Sequence, residues 1–214
     1  MQILALIGGH APNHPYHETA PVLQSLLAKA GHKVTLTEDP TAFASIAVWE
    51  YDQILFHCHR RGEEDLNSVQ RQALLDFVKA PGKSLTVLHL AAGSCPGWGD
   101  FPRLVGGVWV WGVSTHPPFG HFAVNIVDKE HPITKGLGDF EIDYELYHTL
   151  ALRPEIHVLA TATHDGKLAP MAWTNMYEGN RVFYCALGHA QVSFENLGFQ
   201  QLVSRGVAWA GGQI

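Results

Sequence analysis

The chain has 214 residues, enough to bury a full core, since a domain of about 150 residues hides roughly 70% of its extended surface. One domain spanning residues 1–214 is therefore expected. The formal net charge is -6 with no basic cluster beyond Arg60-Arg61, which argues against a nucleic-acid partner. No apolar run reaches the roughly 18 residues of a membrane-spanning helix, and Met1 to Ile7 is too short, and lacks the charged start, of a signal peptide. The cysteines, Cys58, Cys95 and Cys185, are odd in number and widely spaced. They form no disulfide framework, so a reducing, cytoplasmic compartment is expected.

Gln2 to Ile7 is an apolar run ending in Gly8-Gly9 and reads as a buried strand entering a turn. Thr19 to Ala30 has apolar residues at helical spacing and stops at Gly31. Lys33 to Thr37 and Tyr51 to His57 read as the second and third strands. Glu63 to Lys79 reads as a helix ended by Pro81-Gly82, and Ser84 to His89 as the fourth strand. This alternation with short connections predicts a parallel sheet with helices on both faces. Strands that are apolar throughout fit a sheet covered on both sides.

The second half is less regular. Gly106 to Gly112 and His121 to Asp128 read as strands around the turn at His116-Pro117-Pro118. Ile156 to Thr163, Met171 to Thr174 and Arg181 to Leu187 follow as strands, the last two forming a hairpin across Asn175 to Asn180. Phe199 to Ala210 closes the chain as an amphipathic helix.

Histidine stands out, with 14 residues, as many as Lys and Arg together. In open α/β sheets, ligands bind beyond the carboxyl ends of the strands. Strand one is followed by His10, strand three by His57-Cys58-His59, strand four ends at His89, and the late strand RVFYCAL leads to His189. This recurrence predicts one shared site that His14, in the first loop, can join. His57 fits a structural role within its strand, His17 a solvated helix entry, and His131 a turn before Thr134. His89, passing from an apolar strand into Leu90-Ala91-Ala92-Gly93, occupies the setting of a nucleophile elbow. Imidazole there suits metal ligation, general-base action or hydrogen bonding to substrate.

The segment Asp143-Tyr144-Glu145-Leu146-Tyr147-His148 concentrates acids and tyrosines. Strict alternation puts Asp143, Glu145 and Tyr147 on one face, with Glu145 as a general acid/base or carboxylate ligand. His116 and His121 flank a Pro-Pro-Phe-Gly loop able to close over the site. Trp98, Trp109, Trp111 and Phe119 lie near these loops, as sugar-stacking or core side chains.

As a set, these motifs resemble the ThuA-like (trehalose-utilisation) branch of the class I glutamine amidotransferase-like fold. The resemblance rests on Gly8-Gly9-His10 with His14-Pro15, Leu88 to Ala92, Glu130 to Thr134, Asp143 to Tyr147, Arg181 to His189, and Val207 to Ala210. It implies an α/β, flavodoxin-like, mostly parallel sheet flanked by helices, with an antiparallel extension in the second half. In the amidotransferases the elbow holds a catalytic cysteine and a late strand end supplies its histidine partner. This chain has His89 at the elbow and keeps His189, so glutamine hydrolysis is not expected, and Cys95, six residues on, is poorly placed to substitute.

The resulting expectation is a sugar-metabolism protein, an enzyme acting on a disaccharide or keto-sugar by hydrolysis or isomerisation. The alternative is a non-catalytic carbohydrate-binding or sensing domain that lost the nucleophile. His89, Glu145 and His189 are the expected catalytic residues, and His10, His14, His59, His121 and Tyr147 the expected substrate-binding residues. A divalent metal, Zn²⁺ or Mn²⁺, would be held by His10, His59, His89 and His189. The expected partner is a small carbohydrate, without nucleotide cofactor, nucleic acid or membrane. Self-association into a homo-oligomer stays open.

Overall fold

The computed structural model describes residues 1–9 and 13–214. The first half forms β1 (Gln2–Gly9), α1 (Tyr16–Lys29), β2 (Lys33–Thr37), β3 (Gln53–His59), α2 (Ser68–Lys79), β4 (Ser84–Leu88) and α3 (Phe101–Val105). The second half forms β5 (Gly107–Val108), β6 (Gly120–Ile126), β7 (Phe140–Tyr144), β8 (Ala151–Leu152), β9 (His157–His164), β10 (Lys167–Tyr177), β11 (Asn180–Cys185), α4 (Gln191–Glu195) and α5 (Leu197–Ala210). Nine strands make one sheet in the order β2-β1-β3-β4-β11-β10-β9-β6-β7, and β5 and β8 pair separately.

From β2 through β11 every pairing is parallel. From β11 through β10, β9 and β6 to β7 every pairing is antiparallel. The parallel half begins in the 2-1-3-4 order of flavodoxin-like sheets, with β11 as the fifth strand, so the predicted fold class and its antiparallel extension are what the chain forms. The order reverses between β1 and β3, where such sheets open a ligand crevice at their carboxyl ends.

Alternation along β3 shows how the sheet is covered. Phe56 stacks on Phe43 at 5.6 Å and approaches Phe101 of α3 at 6.5 Å. Its neighbour His57 points the other way, 2.7 Å from the Thr19 hydroxyl of α1 and edge-on to Phe194 of α4. Successive side chains of a strand face opposite sides, so α3 covers one face and α1 and α4 the other. α5 joins the second layer and approaches β11 so closely that a Cβ on Gly206 would lie 2.1 Å from the Phe183 ring. Among the described residues no helix is long and apolar enough to cross a membrane.

Some boundaries differ from the sequence reading. The helix expected from Glu63 begins at Ser68, because Asn67 and Gln70 form a reciprocal capping box. The strand expected over Gly106 to Gly112 shrinks to Gly107–Val108. Gly106, at φ 86°, ends α3 in the left-handed region. Beyond Trp109, Val110 accepts from Val113 and Ser114 and turns the chain. The hairpin between β10 and β11 forms as expected, in a tighter turn, with Tyr177 opposite Asn180.

Candidate functional site

The site is assembled from four separate stretches of chain. β4 ends at Leu88, and His89 begins a 3-10 turn with φ 52°. A positive φ at a non-glycine residue stores strain and lifts the side chain off the strand line, as at a nucleophile elbow. The small residues Ala91, Ala92 and Gly93 let this turn lie buried beneath the site. His189 follows β11 through Gly188, at φ 117°. Glu145 follows β7, and His14 precedes α1.

His89 is fully buried and closely held. Its Nδ1 lies 3.0 Å from the Ala186 carbonyl oxygen and also meets the Tyr144 hydroxyl. Tyr144 donates to the same carbonyl at 2.8 Å. A carbonyl can only accept, so Nδ1 carries the proton and Nε2 presents a lone pair. The Tyr147 hydroxyl donates to that Nε2 at 3.0 Å, and its ring stacks on His89 with centroids 4.7 Å apart. Tyr184 donates to the His89 backbone carbonyl at 3.1 Å, which fixes the turn from below.

His189 Nδ1 lies 3.3 Å from His89 Nε2 and 3.4 Å from Glu145 Oε2. The His14 ring approaches His89 at 4.8 Å and His189 at 4.6 Å between centroids. One ligating atom each from His14, His89, Glu145 and His189 lies within 4.8 Å of the others. The buried atoms His14 Nε2 and Glu145 Oε2 make no hydrogen bond.

Burial holds the imidazoles neutral. The pKa of His14 is lowered to about 3, by desolvation first and by neighbouring histidines second. His89 is lowered for the same two reasons. Desolvation also lowers His189, with the Glu145 carboxylate opposing it. The Tyr147 phenol is raised by burial and by Glu145, so it keeps its proton. Near neutral pH the cluster therefore offers imidazole lone pairs and a phenolic donor.

Other expected residues lie elsewhere. His59 stacks on Trp111 at 5.2 Å and is outside the four-residue group. His121 sits on the exposed β6–β7 hairpin, its two nitrogens 2.8 Å from Asp143 and 2.6 Å from Glu141. Asp143 thus faces solvent, apart from Glu145 and Tyr147. β7 ends at Tyr144, so alternation does not carry across to the next two side chains. His10 lies outside the described residues. Tyr147 packs against His89. The sequence reading missed Tyr144; counting inward from Ile142, also buried on β7, would have found it.

Cys95 is set apart from the elbow at His89. It is 2% exposed, and burial first, with Asp65 second, pushes its thiol pKa upward.

A sequence model of the ThuA family, described as trehalose utilisation, matches residues 3–210. The chain belongs to the ThuA family. Among solved structures, a putative ThuA-like protein from Parabacteroides merdae is similar with TM-score 0.86 and 23% identity, over 100% of this chain and 91% of that one. A second, from Bacteroides uniformis, has TM-score 0.79 and 19% identity over 98% and 91%. A glutamine amidotransferase from Thermotoga maritima has TM-score 0.53 and 10% identity over 87% and 74%. At these identities the likeness is one of fold. No curated protein matches the sequence. The ThuA chain thus keeps an amidotransferase-like scaffold while its elbow presents His89.

Proposed function

We propose that this ThuA protein is a sugar-transforming enzyme acting on a disaccharide or keto-sugar in the cytoplasm, with Glu145, His189 and His89 as its reacting groups. The observation that carries this reading is the convergence of buried, proton-poor imidazoles on an unbonded carboxylate oxygen. Ionisable groups are costly to bury without compensation, and such expense concentrates at functional sites. The family description supplies the substrate class. The three buried, free cysteines support a reducing compartment.

Glu145 Oε2 faces His189 Nδ1 at 3.4 Å, an ion-pair distance that places a carboxylate beside the imidazole. Such a pair serves proton abstraction beside a carbonyl or hydrolysis of a glycosidic bond. His189 takes and returns the proton, Glu145 stabilises its imidazolium, and His89 Nε2 holds the Tyr147 hydroxyl in place. The alternative, a binding or sensing domain, needs no close acid–base pair.

The test is turnover of a panel of disaccharides and their keto forms by the wild-type chain and by His189→Ala. Product from at least one substrate, lost by 100-fold or more in the variant, is expected from general acid–base catalysis worth about 10²–10⁴. Saccharide binding without turnover of any panel member would favour the sensing domain and overturn the enzymatic reading.

A further inference from the structure

The geometry points to a divalent transition-metal centre, for an ion of the Zn²⁺ or Mn²⁺ class, ligated by His14, His89, Glu145 and His189. It deepens the reading above by assigning the same cluster a resident ion. The ligand set also differs from the sequence expectation, with His14 and Glu145 in place of His10 and His59.

Three independent features carry it. The first is spacing. A tetrahedral ion with bonds of about 2.0–2.1 Å separates its ligand atoms by roughly 3.3–3.4 Å. His189 Nδ1 stands 3.3 Å from His89 Nε2 and 3.4 Å from Glu145 Oε2. The remaining ligating atom lies within 4.8 Å of the others. The second is the tautomer of His89. Its Nδ1–H is committed to the Ala186 carbonyl at 3.0 Å, so Nε2 carries the lone pair; the Tyr147 hydroxyl, which donates to it at 3.0 Å, must turn away for an ion to bind there. Ligating histidines characteristically anchor their other nitrogen in this way.

The third is unmet bonding capacity. His14 Nε2 and Glu145 Oε2 are both shielded from solvent and neither has a hydrogen-bond partner. Buried polar groups are nearly always satisfied, so two convergent exceptions call for a shared partner. A cation meets both needs. Mixed imidazole and carboxylate ligation suits Zn²⁺ or Mn²⁺ and disfavours the thiolate-seeking ions.

The experiment is a titration of chelator-treated, full-length protein with zinc sulfate alone, followed by calorimetry, together with anomalous diffraction at the zinc edge from crystals of the loaded protein. One zinc per chain is expected, with its anomalous peak between His14, His89, Glu145 and His189. Glu145→Gln and His14→Ala, checked for folding by near-ultraviolet circular dichroism, should each weaken zinc by at least about tenfold. Should a variant fail to fold, the position of the wild-type peak decides alone. No stoichiometric zinc, or a peak elsewhere, overturns the metal centre. Zinc at the cluster without turnover of any saccharide would uphold the centre and defeat the enzymatic reading.

Discussion

His89 Nδ1 lies 3.0 Å from the Ala186 carbonyl oxygen, joining the turn after β4 to the end of β11. One hydrogen bond thereby sets both the position and the protonation of the side chain at the elbow. Because burial depresses its pKa, His89 should remain neutral, with the proton on Nδ1. Nitrogen-15 spectra of histidine-labelled protein check this. His89 should show a protonated Nδ1, a bare Nε2 and no titration between about pH 5 and 8, outside the ordinary range near 6.5. A signal moving through that range would contradict it.

Acid should destabilise the fold before carboxylates protonate. His57 on β3 is fully buried against α1 and α4, and burial lowers its pKa to about 3; His14 is lowered to about 3 as well. The unfolded chain binds these protons near pH 6.5, the folded chain only near 3. Stability is thus full above about 6.5 and falls as pH drops toward 3, by up to about 1.4 kcal/mol per unit for each group. Urea midpoints measured from pH 7 to 4.5 should decline, and His57→Leu should flatten the slope. A slope unchanged in the variant would contradict the assignment for His57.

The three thiols should resist alkylation in the folded protein. Burial raises Cys58 and Cys185 to about 12 and raises Cys95 further, and all three are buried and free. The thiolate is the reactive form. Iodoacetamide at pH 8 should label them only on unfolding, as mass spectrometry would show, and Cys95→Ser should keep turnover within about twofold. Rapid labelling of Cys95 with loss of activity would restore the cysteine mechanism.

Gly206 should be intolerant of a methyl group. The Cβ position 2.1 Å from the Phe183 ring is occupied space, and Phe183 is fully buried on β11. Gly206→Ala should cost about 1–3 kcal/mol of overpacking, despite the better helix propensity of alanine. Thermal unfolding checks this, and an unchanged midpoint would show that α5 can move off the sheet.

The parallel half of the sheet was legible because its strands are apolar throughout and its helices stop at glycine or proline, as at Gly31 and Pro81-Gly82. His89 was legible because it directly follows an apolar strand, and His189 because it lies a few residues beyond one. What the sequence concealed depends on side-chain direction after a strand ends. Glu145 lies just beyond the end of β7, so counting by twos tied it to Asp143, whose actual partner is His121 across the hairpin. His59 is the last residue of the apolar strand β3, yet its ring goes to Trp111. Carboxyl-end position selects candidates; the rotamer and its packing partner decide which of them meet.

The central claim is that Glu145 and His189 work as one unit against His89. Its most direct measurement is a double-substitution cycle on saccharide turnover with Glu145→Gln, His189→Ala and the two combined. Groups acting as one unit are strongly non-additive. The account predicts that each single change removes most of the activity and that the double change removes little more. Independent, multiplicative losses, or full turnover by either single variant, would contradict it.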